Sequence, residues 1–554
     1  MSQATLPSTP YAARLSRKRI VLTTAAAMSG MFLAALDSTI VATAMPTVVA
    51  DLHGIDHYAW VFTGYLLAEI ATIPIWGRLA DMFGRKRIFL AGMAIFLLGS
   101  ILCGMSSSML MLIAFRTMQG VGAGCLLPVA QTIVADLYTL EQRPRVSAVT
   151  AGMFAVSSII GPFIGGFLTE QLSWHWVFYV NLPIGIAAFV LVQVVMVEPL
   201  ELRHKHKMDW LGAITLLGWT GLFVFALESG GRDYAWNSTT ILGAFGTSAL
   251  LFVAFLMVEH RSREPMIPLG LFRVPALRAA TVIGSASVMA MYGIISFLPL
   301  FVQVVQGRSA TQAGRALTPM MLAMMLGSAL GARVLLKVGF RRMCMAGFGF
   351  VVLGTALLTR SAAGTSPLEL VPPMACLGAG LGLVFITTMM AAQNSVDLPR
   401  MGVATGLLNF CRQLGGALGV AIGGAVMLTT LSDRIATAFP DRHIKAGSLL
   451  SAQTAANFPP AGQELVRLAF ADALHLVFVA TFILAIIGAF TTLLMPGGSA
   501  TAIRDEAHGH IVDEPLLPDG ETILLTSPQD EPAPAPVPPA TLGSTREAAR
   551  PEPG

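Results

Sequence analysis

Four ionisable side chains fall inside long apolar runs, where the neighbouring sequence offers them no water. Asp37 stands in Leu33-Ala34-Ala35-Leu36-Asp37-Ser38-Thr39-Ile40, and Glu69 near the middle of the run from Tyr58 to Trp76. Arg116 lies in the run from Met109 to Pro128, and Arg412 in the one from Val403 to Leu428. At the centre of a lipid-embedded helix each such group costs about 2.5–3.5 kcal/mol on insertion scales, so each needs a partner or a task. A carboxyl in a low-dielectric cavity holds a proton near neutrality and gives it up when a cation approaches, which is what proton-for-solute exchange requires. Asp37 is read as such a proton carrier; the alternative is a buried salt bridge, to Arg116, that only fixes helix packing. Glu69 has the same two readings and a third, as partner of a cationic substrate. Arg116 is read as the counter-charge that modulates the cavity acid. Arg412 is either a cavity group, with Gln131 and Asn409, or a side chain that snorkels to the nearer interface.

The elements that position these groups are set by composition. Of 554 residues, 55% are hydrophobic and 12% charged, against about a quarter charged in soluble domains. The net charge of +4 is too small, and its cations too confined to short loops, to suggest nucleic acid. Residues 2–19 are polar and basic and the first apolar run is too long for a cleavable signal, so no signal peptide is expected. Fourteen apolar segments follow: Ile20–Pro46, Tyr58–Trp76, Ile88–Gly104, Met109–Pro128, Val146–Leu168, Phe178–Val197 and Trp210–Leu227, then Ile241–Val258, Ala276–Val302, Leu317–Leu336, Met343–Thr359, Leu370–Met390, Val403–Leu428 and Leu468–Leu494. In lipid each must satisfy its own backbone, so they read as transmembrane helices. Cations concentrate on one side of this count, at Arg17, Lys18 and Arg19, at Arg85, Lys86 and Arg87, and at Lys337, Arg341 and Arg342. That side is the cytoplasm by the positive-inside rule, and an even number of spans returns the C-terminus to it. The stretch 432–467 is expected outside, with a short ordered element. The acidic, proline-rich residues 496–554 are expected to be a disordered cytoplasmic tail.

Two internal echoes divide the chain. The charge-dense segment Gly77-Arg78-Leu79-Ala80-Asp81-Met82-Phe83-Gly84-Arg85-Lys86-Arg87 reads as a tight turn between two spans. It recurs as Ala332-Arg333-Val334-Leu335-Leu336-Lys337-Val338-Gly339-Phe340-Arg341-Arg342. Ser157 and Gly161-Pro162-Phe163-Ile164-Gly165-Gly166 in the fifth span match Gly415 and Gly419-Val420-Ala421-Ile422-Gly423-Gly424 in the thirteenth. The register gives two six-helix halves, 20–197 and 276–495, with an inserted pair in 198–275 and the substrate site between the halves. Glycines Gly161, Gly165 and Gly166 allow close helix contact and Pro162 permits a bend, so this stretch is read as a hinge or seal. Met320, Met321, Met324 and Met325 read as lipid-facing filler before cavity wall. Trp174, Trp176 and Tyr179 read as an interfacial belt. The five cysteines show no metal-ligand spacing and read as small apolar residues.

These residues resemble the fourteen-helix drug:proton antiporters of the major facilitator superfamily. Gly77 to Arg87 is similar to that superfamily's loop signature between helices two and three, and Leu112 to Gly122 to its fourth-helix motif. Gly161 to Gly166 resembles the antiporter motif, though Ser157 stands where glycine is usual. Leu36 to Pro46 and Trp174 to Gly185 resemble signatures of the fourteen-helix branch. The resemblance implies an all-α membrane protein of two six-helix bundles plus two linker helices, in a bacterial inner membrane. It further implies export of amphiphilic or cationic compounds driven by protons, by a chain that needs no cofactor and acts as a monomer. Gly77, Asp81, Gly84, Arg85 and Arg87 would form a cytoplasmic gate with the second half, one-sided because Leu336 replaces the acid. The rival within this class is a dedicated exporter of one metabolite, lipid or antibiotic. A membrane enzyme is disfavoured, because the histidines, among them His175, His204, His206 and His475, are scattered.

Overall fold

The computed structural model describes residues 15–52, 58–138, 142–197, 209–231, 234–262, 265–267, 269–308, 310–396, 400–438 and 460–497. These residues all belong to one compact unit. Residues 1–14, the cluster with His204 and His206, residues 439–459 of the expected outer loop, and the tail from 498 lie outside the described residues.

The first half is α1 (Arg17–Leu52), α2 (Tyr58–Phe83), α3 (Arg85–Gly104), α4 (Met109–Leu137), α5 (Arg143–Gln171) and α6 (Asn181–Val195), the last preceded by a single turn, Trp176–Tyr179. The inserted pair is α7 (Trp210–Ser229) and α8 (Thr239–Arg261). The second half is α9 (Pro275–Ile295), α10 (Ala310–Val338), α11 (Phe340–Leu358), α12 (Val371–Asn394), α13 (Met401–Ala438) and α14 (Pro460–Thr491). Each expected apolar segment falls on one of these helices. Among the described residues, 12 helical spans are long and apolar enough to cross a bilayer, α2 and α5 being the two outside that set. Leu110, Val194, Leu250 and Phe490 stand exposed on the bundle surface. In water such apolar surface would drive association; in lipid it is the expected exterior.

Sequence and structure differ at several helix ends. The segment Gly77 to Arg87 is not an extended turn: α2 continues through Phe83, α3 starts at Arg85, and only Gly84 breaks the helix. Gly84 has φ 94°, and its counterpart Gly339, between α10 and α11, has φ 87°. Both occupy backbone space that side chains resist, so a one-residue corner demands glycine at each. The stretch 432–467 is likewise largely helical at its edges, because α13 runs on to Ala438 and α14 begins at Pro460.

Packing repeats between the halves. In the first, α2 packs on α4 and α1 on α5; in the second, α10 packs on α12 and α9 on α13. The halves meet through α2 against α13 and α5 against α10, which the register makes equivalent contacts. The inserted α7 lies along α2 and α13, with Phe225 stacked on Trp60 and Trp219 edge-on to Phe410.

Candidate functional site

Between the halves lies a cavity of about 310 Å³. Met31 of α1, Leu127, Gln131 and Val134 of α4 and Thr150 of α5 form the first-half wall. From the second half come Met291 and Tyr292 of α9, Met321, Met324 and Ser328 of α10, Phe385, Met389, Met390 and Gln393 of α12, and Asn409, Arg412 and Gln413 of α13. Two sequence readings change here. Met321 and Met324 line this cavity rather than face lipid, and with Met31, Met291, Met389 and Met390 they give it a soft, adaptable wall. Arg412 does not snorkel: it is 4% exposed and its guanidinium lies over the Phe385 ring, 4.3 Å from the centroid. The Asn409 Nδ2 donates to Gln131 Oε1 at 2.7 Å, a hydrogen bond that joins the halves across the cavity.

Asp37 and Arg116 are brought together, but away from the cavity wall. Both are buried, and Arg116 Nη1 donates to Asp37 Oδ2 at 2.6 Å. Asp37 Oδ1 accepts from Gln119 Nε2 at 2.9 Å and from Asn181 Nδ2 at 2.7 Å. Gln119 Oε1 accepts a second bond from Arg116 Nη1, and Ser100 Oγ accepts from both amides while donating to the Phe178 carbonyl. The Arg116 guanidinium also covers the Tyr65 ring at 4.2 Å. Side chains of α1, α4 and α6 thus meet at one carboxylate, and α3 joins the network through Ser100. Glu69 stands apart. Its half-buried side chain makes no hydrogen bond or ion pair among the described residues, and it lies near enough to Arg116 and Asp37 to interact with their charges.

The segment Gly77 to Arg87 ties the two halves at the end of the bundle where α1 begins. Asp81 Oδ1 accepts from the Gly402 amide at 3.1 Å and Oδ2 from the Val403 amide at 2.8 Å, both in the first turn of α13. A carboxylate there also meets the positive end of the helix dipole. Arg85 lies 3.6 Å from Asp81 and pairs with Asp136 at the end of α4. Burial lifts the Asp81 carboxyl to about 7, against Arg85 and the Val403 amide, which pull it down. Gly77 has a second role: a Cβ there would come within 2.8 Å of the Gly402 carbonyl oxygen, so α2 and α13 touch backbone to backbone. Arg87 is not part of this latch; its side chain is exposed.

The glycine stretch of α5 packs on α1. A Cβ on Gly161 would meet Thr39 Oγ1 at 2.0 Å, and Thr39 Oγ1 donates to the Ser157 carbonyl at 3.2 Å. In α13, Cβ atoms on Gly415 and Gly419 would meet the carbonyl oxygens of Ser285 and Met289 on α9 at 2.4 and 2.3 Å. Gly165 is buried, whereas Gly166 and Gly424 face open space. The helix continues through Gly161 to Gly166; the Pro162 side chain lies outside the described residues. At the opposite end, Trp174 is not a lipid-facing belt residue. It is buried, donates from Nε1 to Asp51 at 2.7 Å and stacks on His175, while Trp176 is exposed.

Sequence reasoning passed over Gln119, Asn181, Ser100, Tyr65 and Asp136. Gln119 lies as an uncharged polar residue inside the fourth-helix motif Leu112 to Gly122, and Asn181 inside the branch signature Trp174 to Gly185. A search restricted to charges misses the amides that satisfy a buried charge.

Residues 27–420 match a family model described as Major Facilitator Superfamily. The chain is 37% identical over 498 residues to Multidrug resistance protein 3 of Bacillus subtilis (strain 168), covering 88% of this chain and 96% of that protein. It is 38% identical over 413 residues to Multidrug transporter protein MdtP of the same organism, covering 74% of this chain and 75% of that one. Among solved structures, the proton:xylose symporter XylE superposes with a TM-score of 0.58 at 11% identity, over 86% of this chain and 95% of XylE.

Proposed function

Because this chain belongs to the Major Facilitator Superfamily, we propose that it exports amphiphilic small molecules by alternating access, in exchange for protons. The observation that carries this reading is a methionine-rich cavity walled by both halves, beside a latch that holds the halves together at one end. A site built by two bodies is exposed to opposite sides when they rock. The multidrug names of its relatives support a broad cargo. In this reading the chain sits as a monomer in the bacterial cytoplasmic membrane with both termini inside, and the latch is a cytoplasmic gate.

Proton coupling is assigned to Asp37 and Glu69, with Arg116 as the counter-charge that modulates them. A proton on Asp37 weakens its hold on Arg116, and Glu69, which has no other partner among the described residues, is near enough to share the freed charge. The driving force is adequate, since a proton moving inward gains about 2.3 kcal/mol per 100 mV. Each unit of pH difference adds about 1.4 kcal/mol. The test is substrate-induced proton release from the reconstituted protein at several pH values. Asp37→Asn is expected to abolish gradient-driven export while binding or downhill exchange survives. Unimpaired uphill export in that variant would overturn the assignment to Asp37, and Glu69→Gln then tests the remaining carboxyl.

A further inference from the structure

Three arginines, Arg85, Arg116 and Arg412, are deeply buried among the described residues, and two have counter-ions: Arg85 has Asp136 and Asp81. Arg116 has Asp37. Arg412 forms no ion pair among the described residues. Its Nη2 donates to the Phe385 carbonyl at 2.9 Å and to Thr388 Oγ1 at 2.7 Å, and its Nε is buried with no partner. Both of those acceptors, and the Phe385 ring beneath the guanidinium, are neutral. A guanidinium keeps its charge at neutral pH, so this is a cation held in a low dielectric at a standing cost. The cavity wall does nothing to offset it: no Asp or Glu lines that wall, and Arg412 is its one charged side chain among the described residues. The backbone is shaped to admit it, because a Cβ on Gly284 of α9 would come within 3.2 Å of Arg412 Nε.

We propose that Arg412 is the recognition point for an acidic head group, and that the cargo is an anionic amphiphile rather than a cationic one. A carboxylate or equivalent anion entering the cavity supplies the missing counter-charge. The methionines and the Phe385 ring take the apolar body, and the neighbouring amides Gln131, Asn409 and Gln413 accept variation around the head. Glu69 does not substitute for the anion, since it lies off the cavity wall and makes no ion pair with Arg412. The chemistry is that of a charge-assisted hydrogen bond in a dry site, which carries more free energy than a neutral one. The inference rests on this cavity being the transport site.

The test uses the detergent-purified full chain and three matched probes: a dansyl-labelled undecanoate, its methyl ester, and the quaternary ammonium analogue of equal chain length. The wild type is expected to bind the carboxylate at least about tenfold more tightly than the ester, and the ammonium probe most weakly. Arg412→Gln is expected to erase the difference between carboxylate and ester, while Arg412→Lys, which keeps the charge, retains part of it. Tighter wild-type binding of the ammonium probe overturns the proposal. So does an unchanged head-group preference in Arg412→Gln, and if that variant does not fold, loss of the preference in a folded Arg412→Lys bears on geometry while the wild-type ranking still decides. Proteoliposomes test the export reading separately. Uphill movement of probes without head-group preference removes the recognition proposal alone, and head-group preference in binding with no probe moved uphill removes the export reading alone.

Discussion

Asp37 and Arg116 hold each other where side chains of α1, α4 and α6 meet, and the two amides beside them complete the carboxylate's hydrogen bonding. The arrangement accounts for the survival of two charges in a place that neither could occupy alone. Removing one partner leaves the other buried and uncompensated, at about 3–5 kcal/mol. Removing both relieves that cost. Asp37→Leu is therefore expected to destabilise the protein strongly, and Arg116→Met similarly. The Asp37→Leu/Arg116→Met double variant should unfold, in detergent, at a higher temperature than either single variant. A double variant no more stable than the worse single one would mean that the pair is not a coupled unit. The positions of both charges were legible in the sequence, because a charge in an apolar run announces itself. Their pairing could be named only as one of two readings, since it depends on which faces of α1 and α4 meet, and helices apolar all round carry no periodicity to say so. Arg412 shows the same limit from the other side: nothing in its local run says that α12 offers it a carbonyl and a ring instead of an acid.

At the scale of helices, the glycine seams set how closely neighbours approach. In α13 the obstacle to a Cβ at Gly415 or Gly419 is backbone of α9, which cannot step aside. At Gly161 the obstacle is the Thr39 side chain, which is β-branched and itself hydrogen-bonded. Gly166 and Gly424 meet nothing. Thermal unfolding of four alanine variants should follow this order. Gly419→Ala is expected to be the most damaging, with a loss of about 1–3 kcal/mol from overpacking, and Gly161→Ala next. Gly166→Ala and Gly424→Ala should be neutral or stabilising by up to about 1 kcal/mol, as alanine favours helix. Equal effects at all four positions would show that the seams do not control packing. The order of fourteen apolar helices and the two glycine echoes were readable because lipid makes length and apolarity decisive. Helix ends were not. The segment Gly77 to Arg87 reads as a turn by its charges, yet charged residues continue a helix as readily as they end it, and only Gly84 forces the corner.

For the whole molecule, the question is what links the two halves and what parts them. Asp81 reaches across to the first turn of α13, and Gly77 lets the helices touch beneath it. The echo in α10 and α11 keeps the corner, at Gly339, but has Leu336 where Asp81 stands, so this polar latch belongs to one of the two equivalent contacts. With the latch closed, burial lifts the Asp81 carboxyl to about 7; with the halves parted it returns toward the ordinary 3.8. The closed state therefore binds the proton more tightly. As pH falls below about 7 the closed latch gains, by up to about 1.4 kcal/mol per pH unit, a factor of ten in the closed-to-open ratio. Above about 7 Asp81 is ionised in both states and contributes no pH dependence. Distances between spin labels placed on either side of the latch, measured across this range by double electron–electron resonance, should show the closed population rising on acidification. Asp81→Asn, which keeps acceptor geometry but cannot titrate, should flatten that slope. A slope that survives in Asp81→Asn would place the titrating group elsewhere, and a closed population that falls on acidification in the wild type would mean that the latch needs its charge more than burial opposes it.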